Sequence, residues 1–357
     1  MKNEANSILL VVSSLLPGGA ERATLGLADY LASEGFDVHL FVARRDPNYE
    51  GTYQVPDNVT AHYIKHGFNS KLLRPLLNTV LLRRLIDEYA FEWVISLGAQ
   101  YKTLSLARCF DNAKVLLSER NCPEKFYAPS EKDFVEGCYQ RATRVVFQTE
   151  EAMNYFSAVP AERKMVIPNA VREGLPQWIG SGNKTIAFVG RLSDQKNPSL
   201  LINAFRLFHD GHPDWTLEMY GDGYLRSAIS QQVEDEGLGD SVHLHGNVSR
   251  VENYVSSAGM YVSSSDYEGI SNSMLEALAM GVPTVCTDCA GGGARLAIQN
   301  GVNGLLTQCN DVEGLARAMV RIADNAELAR KMSAAAVESS ERFAPSAIYA
   351  QWLVALS

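Results

Sequence analysis

The stretch that decides the fold is residues 263–287, SSSDYEGISNSMLEALAMGVPTVCT. Its pattern predicts a strand end, a loop, a helix, a tight turn and a second strand. Ser271–Ser273 are residues that start helices, and an apolar face at helical spacing follows them. Gly281 closes the helix and Pro283 prevents its continuation before the next apolar run. The stretch therefore predicts a helix between two buried strands.

Two carboxylates lie at the start of this helix, Glu268 in the loop and Glu276 inside the first turns. A helix N-terminus after a small-residue loop favours anions, because its N–H groups and its dipole attract negative charge. The two carboxylates could then accept hydrogen bonds from hydroxyls of the same ligand. Alternatively, Ser273 and Glu276 form a capping box, in which the glutamate satisfies a backbone N–H. The local pattern leaves both alternatives open.

The composition predicts a two-domain globular protein. The chain has 357 residues, of which 46% are hydrophobic and 20% charged. Its net charge of −9 argues against non-specific nucleic-acid binding, and no apolar run approaches the ~20 residues that span a bilayer. The N-terminal apolar run resembles a signal peptide, but Glu4 offsets Lys2 and no clean cleavage site follows. We therefore expect a buried first strand and a cytoplasmic protein.

The cysteines and histidines give little indication of a metal site. Six cysteines are scattered along the chain, and only Cys286-x-x-Cys289 has suggestive spacing. No second pair completes a zinc site, so buried or loop cysteines in a reducing compartment are expected, with a redox role as the alternative. His243 and His245 would share one face of a strand, in a structural or ligand-lining role.

Strands and helices alternate along the chain. An apolar strand at 8–13 precedes LPGGAER, a helix to about residue 34 and a strand at 37–43, which together form a βαβ unit. Gly18 and Gly19 would let the backbone approach a ligand, although a plain tight turn is the alternative. The alternation continues to 167 and restarts at 185.

A stretch rich in Gly, Pro and Ser at 172–183 predicts a linker between two doubly wound domains. We place the domains at 1–172 and 173–342, with a helix at about 343–357 packing back on the first. A ligand cleft is expected between them, at the carboxyl ends of the strands.

Two basic segments suggest binding surfaces. Arg191 and Lys196 follow the predicted strand at 185–189, and a guanidinium with an ammonium suits a diphosphate. A leucine-rich predicted helix at 71–89 and the residues before it carry a second set of cations. This segment is either a contact with an anionic membrane or a core helix with a solvated basic side. Its cations are Lys65, Lys71, Arg74, Arg83 and Arg84.

Together, GRLSDQKNPSLLINAF, the GDG turn, HGNV and the stretch from 263 resemble the retaining family-4 glycosyltransferases. The resemblance covers nearly the whole chain and implies an α/β, GT-B fold, with two Rossmann-like domains facing each other across a cleft. Glu268 and Glu276 match the E-x7-E motif of that family, and Gly18-Gly19 matches its amino-terminal glycine loop.

The resemblance implies a role for each matching residue. Arg191 and Lys196 would grip the donor diphosphate, Glu276 the ribose hydroxyls and Glu268 the donor sugar. The backbone at 269–272 would bind phosphate or sugar, and that around Asn247 and Val248 would bind the base. The donor-binding set is thus Gly18, Gly19, Gly190, Arg191, Lys196, Asn247, Val248, Glu268, Gly269, Ile270, Ser271, Asn272 and Glu276. The catalytic set is Glu268, Arg191 and Lys196, with Glu119 and Arg120.

Glu119 and Arg120 enter because the chain departs from the family pattern. Many members have a histidine where this chain has LLSERNCP, a feature similar to a subgroup that makes bacterial polysaccharides and lipid-linked oligosaccharides. Glu119 or Arg120 would take the place of that histidine. A second departure leaves Leu296 and Ala297 where many members have a glutamate, with Arg295 as the remaining charge.

We therefore expect a retaining glycosyltransferase that moves a hexose or N-acetylhexosamine from a nucleotide sugar, with UDP as the expected nucleotide. The acceptor would be a lipid-linked glycan at the inner membrane face. No cofactor is expected, and no metal, because no D-x-D pair lies in the motif regions. A nucleotide-sugar 2-epimerase, a phosphorylase and a non-catalytic nucleotide- or glycan-binding protein are the alternatives. The phosphorylase would need a cofactor lysine site that the sequence does not show.

Overall fold

The chain folds into two compact units. The structure is a computed structural model that describes residues 6–16, 18–44, 53–63, 74–98, 100–180 and 182–357. Unit 1 comprises Met1–Pro168 and Tyr349–Ser357, and unit 2 comprises Asn169–Ile348. The boundaries thus lie a few residues from the predicted ones at 172 and 343.

Within the described residues, unit 1 has a seven-stranded parallel sheet of order β3-β2-β1-β4-β5-β6-β7. Its strands are β1 Ser7–Ser14, β2 Asp37–Arg44, β3 Thr60–Tyr63, β4 Trp93–Ser96, β5 Lys114–Glu119, β6 Arg144–Phe147 and β7 Lys164–Val166. Its helices are α1 Gly19–Ser33, α2 Arg74–Tyr89, α3 Tyr101–Leu106, α4 Cys109–Asn112, α5 Pro123–Phe126, α6 Pro129–Arg141 and α7 Glu150–Tyr155.

Unit 2 has a six-stranded parallel sheet of order β10-β9-β8-β11-β12-β13. Its strands are β8 Thr185–Val189, β9 Thr216–Tyr220, β10 Val242–Gly246, β11 Met260–Ser263, β12 Thr284–Thr287 and β13 Leu305–Thr307. Its helices are α8 Pro198–His209, α9 Arg226–Asp235, α10 Val251–Ser257, α11 Asn272–Met280, α12 Gly293–Ala297, α13 Val312–Ala323 and α14 Ala326–Ser340. A last helix, α15 Pro345–Ala355, carries the chain back into unit 1.

The strands are apolar because parallel sheets are covered on both faces. Five consecutive residues of β1, Ile8–Val12, are at most 4% exposed. In unit 2, Phe205 and Phe208 of α8 are buried in the core that covers the sheet. In both units the strand order reverses beside the first strand, between β1 and β4 and between β8 and β11. Such a reversal is where doubly wound sheets bind ligands, at the carboxyl ends of the strands.

The segment predicted as a linker belongs to unit 2 and packs within it. The backbone N–H of Trp178 donates to Met280 O at 2.8 Å, and its indole N–H donates to Ala258 O at 2.8 Å. Val171 is buried and its N–H donates to Phe343 O at 2.8 Å. The small and proline residues of this stretch therefore belong to a close-fitting extended segment.

Within the described residues, no helix combines the length and apolar character that a bilayer crossing requires.

Candidate active site

Two loops meet where the unit 2 sheet reverses. One follows β8 and spans 190–197, and the other follows β11 and spans 264–271. Because β8 and β11 are neighbouring parallel strands, both loops leave the sheet at the same edge. The two motifs that the sequence predicted to bind one ligand are thus adjacent in space.

Hydrogen bonds fix the two loops to each other. The Ser264 hydroxyl lies 2.9 Å from the carbonyl oxygens of Lys196 and Asn197. The Asp266 N–H donates to Gln195 O at 2.9 Å, and the Asn197 amide donates to the Asp266 carboxylate at 2.9 Å. Asn197 also caps α8, accepting a hydrogen bond from Leu200 N at 3.1 Å. The site is therefore built on a cross-linked pair of loops.

Lys196 and Glu268 form an ion pair across this junction. Their side chains are 13% and 19% exposed, and the Ser265 hydroxyl also contacts the Glu268 carboxylate at 3.3 Å. The Glu268 backbone N–H donates to Ala290 O at 2.9 Å, which holds its loop against the segment after β12. A sugar hydroxyl or a phosphate oxygen that reached this pair would find a donor and an acceptor together.

Arg191 is exposed and, among the described residues, its guanidinium forms no hydrogen bond or ion pair. A guanidinium offers five donors in a planar fork that matches phosphate oxygens. Arg191 is therefore a cation at the sheet edge that is available to an anionic ligand.

The start of α11 corrects one of the two open interpretations. Ser271, not Ser273, is the capping residue, with its hydroxyl 3.5 Å from Met274 N. The Ser273 hydroxyl instead donates to Val189 O at 3.2 Å and bonds the Tyr261 hydroxyl at 2.9 Å. The capping box of Ser273 and Glu276 is thus wrong.

Close backbone contacts shape the same edge. Gly221 has a φ of +128°, and a Cβ atom there would overlap Gly190 O. A Cβ atom on Gly293 would overlap the carbonyl of Gly269, beside Ile270 and one residue after Glu268. The Gly190 N–H donates to Tyr220 O at 3.0 Å. A larger residue at Gly221 or Gly293 would force the neighbouring backbone to move.

Glu276 lies in the first turns of α11, and its side chain is 8% exposed. Arg172 Nε is 3.3 Å from Glu276 Oε1, and Arg172 Nη2 is 2.7 Å from Glu252 Oε2. Burial alone would raise the pKa of Glu252, but the hydrogen bond from Arg172 brings it below its ordinary value. The guanidinium thus links the two carboxylates.

The HGNV segment spans the end of β10 and leads towards α10. Asn247 is exposed and Val248 is half-buried, while Gly246 O accepts from Gly221 N at 2.7 Å. The backbone here is thus tied to the turn after β9, beside the two loops.

His243 and His245 share one face of β10, as predicted. His243 Nδ1 lies 2.9 Å and His245 Nε2 2.5 Å from the two oxygens of Glu218. Burial alone would raise the pKa of Glu218, but the hydrogen bonds with the two histidines bring that pKa below its ordinary value. In the described part of the chain no group of three or more His, Cys, Asp or Glu side chains is placed to hold a metal ion.

In unit 1, Gly18 precedes α1 and Gly19 is its first residue. Glu119 ends β5 and is 1% exposed. One carboxylate oxygen accepts from Arg120 N and Asn121 N at 3.0 Å each. The other accepts from two tyrosine hydroxyls, Tyr127 at 2.8 Å and Tyr139 at 3.0 Å. Burial raises the pKa of Glu119, although these four donors counteract it.

Arg120 packs against the last helix. Its guanidinium lies 5.2 Å from the centre of the Trp352 ring, and Nη1 is 3.4 Å from Ile167 O. Burial lowers the pKa of Arg120 to about 10, and the nearby Glu119 charge partly offsets this. Helix α15 thus supports the loop in which the chain departs from the family pattern.

Arg295 has an acidic partner, and the two cysteines of the Cys-x-x-Cys pair are buried. Arg295 Nε donates to Asp288 at 2.7 Å. Cys286 and Cys289 are buried and not disulfide-bonded, and burial raises the pKa of the Cys289 thiol to about 12. A thiol with so high a pKa stays protonated and is a poor nucleophile at neutral pH.

Two family descriptions match successive parts of the chain. "Glycosyltransferase Family 4" matches residues 17–174, and "Glycosyl transferases group 1" matches residues 177–339. The chain is a family-4-like glycosyltransferase. The prediction of a family-4-like glycosyltransferase is confirmed, and the retaining mechanism stays a prediction.

Two relatives illustrate the breadth of the similarity. An exopolysaccharide phosphotransferase of Streptomyces coelicolor is 37% identical over 54% of this chain, which covers only 20% of that much longer protein. A Campylobacter jejuni N-acetylgalactosamine-N,N'-diacetylbacillosaminyl-diphospho-undecaprenol 4-alpha-N-acetylgalactosaminyltransferase is 26% identical over 80% of this glycosyltransferase and 82% of its own length.

Among solved structures, Anabaena HepE in complex with UDP-glucose superposes with a TM-score of 0.82 at 19% identity. The match covers 98% of this glycosyltransferase and 99% of that chain. The predicted GT-B fold, with two Rossmann-like units, is confirmed.

Sequence reasoning missed the residues that hold the site together. Asn197 could have been found, because an asparagine before a proline and an apolar run is a helix-start signal. Asp266 and Arg172 carry no comparable signal, since their partners are distant along the chain.

Proposed function

We propose that this glycosyltransferase transfers a hexose or N-acetylhexosamine from a UDP-sugar to a lipid-linked glycan, with retention of the anomeric configuration. The product would be a cell-surface polysaccharide or glycoconjugate. The observation that carries the proposal is the junction of the 190–197 and 264–271 loops, where Lys196 and Glu268 meet near the exposed Arg191, which pairs with no residue that the structure describes.

In this proposal the cations stabilise the leaving group. As the bond between the sugar and the diphosphate breaks, negative charge develops on the nucleoside diphosphate, and the cations Arg191 and Lys196 would lower its energy. The start of α11 adds backbone N–H groups and a favourable dipole. The backbone at 269–272 would hold phosphate or sugar.

The carboxylates would orient the donor. Glu268 would accept hydrogen bonds from hydroxyls of the transferred sugar, and Glu276 from the ribose. The backbone around Asn247 and Val248 would bind the base, while Gly18 and Gly19 would lie near the phosphate and acceptor. Glu119 or Arg120 would act on the acceptor side, and at Glu119 an acceptor hydroxyl would replace one of the four donors that the carboxylate now binds.

Retention would follow from attack on the face that the diphosphate leaves, with the leaving phosphate accepting the proton of the acceptor hydroxyl. Such a step needs no nucleophilic carboxylate, unlike that of the retaining glycosidases. Since Arg191 and Lys196 can neutralise the diphosphate, we propose that transfer is metal-independent. Full activity in EDTA is expected, and loss that Mg²⁺ or Mn²⁺ restores would contradict this.

The nucleotide and acceptor are proposed by analogy with two proteins of similar sequence or fold. HepE was solved with UDP-glucose, and the Campylobacter relative is named for a diphospho-undecaprenol acceptor. UDP-sugars should raise the melting temperature more than GDP- or ADP-sugars do, because a ligand that binds the folded state stabilises it. Transfer of radiolabelled sugar to membrane lipids should then occur with that donor. If the same nucleotide gave hydrolysis or 2-epimerisation alone, the transferase proposal would fail.

Helix α2 is the proposed membrane contact. Leu76 and Val80 are 62% and 58% exposed, one helical turn apart. Arg83 and Arg84 each lie 3.9 Å from an acidic residue one turn later. These carboxylates lower the net positive charge of the helix surface. The predicted cations Lys65 and Lys71 lie outside the described residues.

Neutralising Arg74, Arg83 and Arg84 should reduce sedimentation with anionic liposomes, and high salt should do the same to the unsubstituted protein. Unchanged sedimentation would remove the membrane contact, with localisation at the inner membrane face, from the proposal.

A further inference from the structure

The segment that enters unit 2 runs along the start of α11. The Asn169 side-chain amide donates to Asn272 Oδ1 at 2.8 Å and to Ile270 O at 3.3 Å. Three residues later, Arg172 reaches Glu276 in the same helix. The segment 169–172 therefore contacts both the backbone before α11 and the carboxylate within it.

Arg172 joins two largely buried carboxylates from different helices. The side chains of Glu276 and Glu252 are 8% and 15% exposed, whereas Arg172 is 38% exposed. Removing charges from water is costly unless they are paired and hydrogen-bonded. A planar guanidinium can engage two carboxylates at once, so Arg172 offsets both charges in a fixed geometry.

This arrangement bears on how Glu276 meets a ligand. An ionised carboxylate only accepts hydrogen bonds, and each of its oxygens can accept more than one. The contact of Arg172 with Oε1 holds the carboxylate in one orientation. A diol presented to such a carboxylate meets an acceptor whose orientation is already fixed.

We propose that Arg172 is a positioning residue for the ribose of the donor, acting through Glu276, and that Glu252 anchors Arg172. The inference deepens the proposed function and rests on it. It assigns a binding role to a segment that the sequence pattern predicted to be a linker.

The test compares UDP with 2'-deoxy-UDP by isothermal titration calorimetry on the full chain. The unsubstituted protein should bind UDP at least about tenfold more tightly, since a hydrogen bond to a charged group is lost with the deoxy compound. Arg172→Ala should weaken the binding of UDP and leave the binding of 2'-deoxy-UDP nearly unchanged. The ratio of the two affinities should then approach the ratio measured for Glu276→Ala. Arg172→Lys should give a ratio between those of the unsubstituted protein and Arg172→Ala. Glu252→Gln should lower the ratio less than Arg172→Ala does.

Lys184→Ala is the matched control, because Lys184 forms an exposed ion pair with Asp214 elsewhere in unit 2. It should keep the original ratio. Thermal melts verify that each variant is folded. If Arg172→Ala is not folded, the affinity ratios of Arg172→Lys and Glu252→Gln test the inference instead. An unchanged ratio, or an equal loss for both nucleotides, would overturn the inference while leaving the proposed function in place. Absence of binding by the unsubstituted protein would instead overturn the proposed function, and the inference with it.

Discussion

The first six strands of each sheet have the same order, yet the charged residues at the carboxyl ends of these strands are bonded very differently. In unit 2, Lys196 and Glu268 are partly exposed and Arg191 is exposed with no ion pair to a described residue. In unit 1, Glu119 is 1% exposed and accepts four hydrogen bonds, while Arg120 stacks on Trp352.

The difference indicates which charged side chains are available to bind a ligand. Glu119 already has its acceptor capacity filled by backbone N–H groups and tyrosines, so its first contribution is to the fold of unit 1. The Arg191 guanidinium bonds no residue that the structure describes, so its donors are available to an anionic ligand. The same edge of the same topology therefore serves as scaffold in one unit and as a candidate donor site in the other.

The largest effect that would sharpen this contrast is expected at Lys196. Lys196→Ala should lower kcat/KM for sugar transfer by about 10²–10³-fold, because a fixed charge at the departing diphosphate is lost. Transfer of radiolabelled sugar from a UDP-sugar to membrane lipids measures it. Lys184→Ala removes an exposed lysine of the same unit and should stay within about twofold of the unsubstituted protein, as surface ion pairs contribute little. Near-normal transfer by Lys196→Ala would break the contrast.

A smaller effect, on stability, is expected at Glu119. Glu119→Gln should lower the free energy of unfolding by about 1–3 kcal/mol, because an amide nitrogen cannot accept the bonds that one carboxylate oxygen accepts. The pKa of Glu119 is raised in the folded protein, so the folded state holds its proton more tightly than the unfolded state does. Its contribution is therefore fully present below the unfolded pKa of about 4.3 and declines as the pH rises through the folded value.

Urea denaturation of both proteins from pH 4 to pH 8 measures this dependence. The stability advantage of the unsubstituted protein over Glu119→Gln should shrink with rising pH. An advantage that grows with pH would show that ionised Glu119 is favoured by its surroundings, contrary to our account.

The smallest effect is expected at Asn197. Asn197→Ala removes the cap of α8 and the bond to Asp266, and should cost about 1 kcal/mol of stability and weaken UDP binding a few-fold. Asn325→Ala is the matched control, since Asn325 caps α14 through Leu328 N at 2.9 Å. It should cost less stability, because Asn325 has a φ of −132° whereas Asn197 has a left-handed φ of +41° that alanine disfavours, and it should leave UDP affinity unchanged. Equal UDP affinity in the two variants would show that the loop junction does not shape the donor site.

The sequence predicts the regular parts of this fold well. The strand predicted at 185–189 matches β8 residue for residue, and those predicted at 8–13 and 37–43 lie within β1 and β2, because short apolar runs between turn signals are local patterns. Short helices such as Val251–Ser257 were not predicted, since so few residues carry no clear period.

The sequence predicts which residues lie at the candidate site better than it predicts the hydrogen bonds and ion pairs between them. The pairing of Lys196 with Glu268 follows from sheet topology, which brings the ends of β8 and β11 together. The capping box failed because the Ser273 hydroxyl is taken by Val189 O, a contact that no local pattern contains. Arg172 was missed for the same reason.

The most direct test of the central claim is the affinity of UDP for Arg191→Ala, measured by isothermal titration calorimetry beside Lys184→Ala. Our account predicts a loss of about tenfold or more for Arg191→Ala, since a charge-assisted hydrogen bond contributes about 1.5–3 kcal/mol, and no change for Lys184→Ala. Equal UDP affinity in the two variants, with both folded, would contradict the claim that the cations after β8 hold the donor diphosphate.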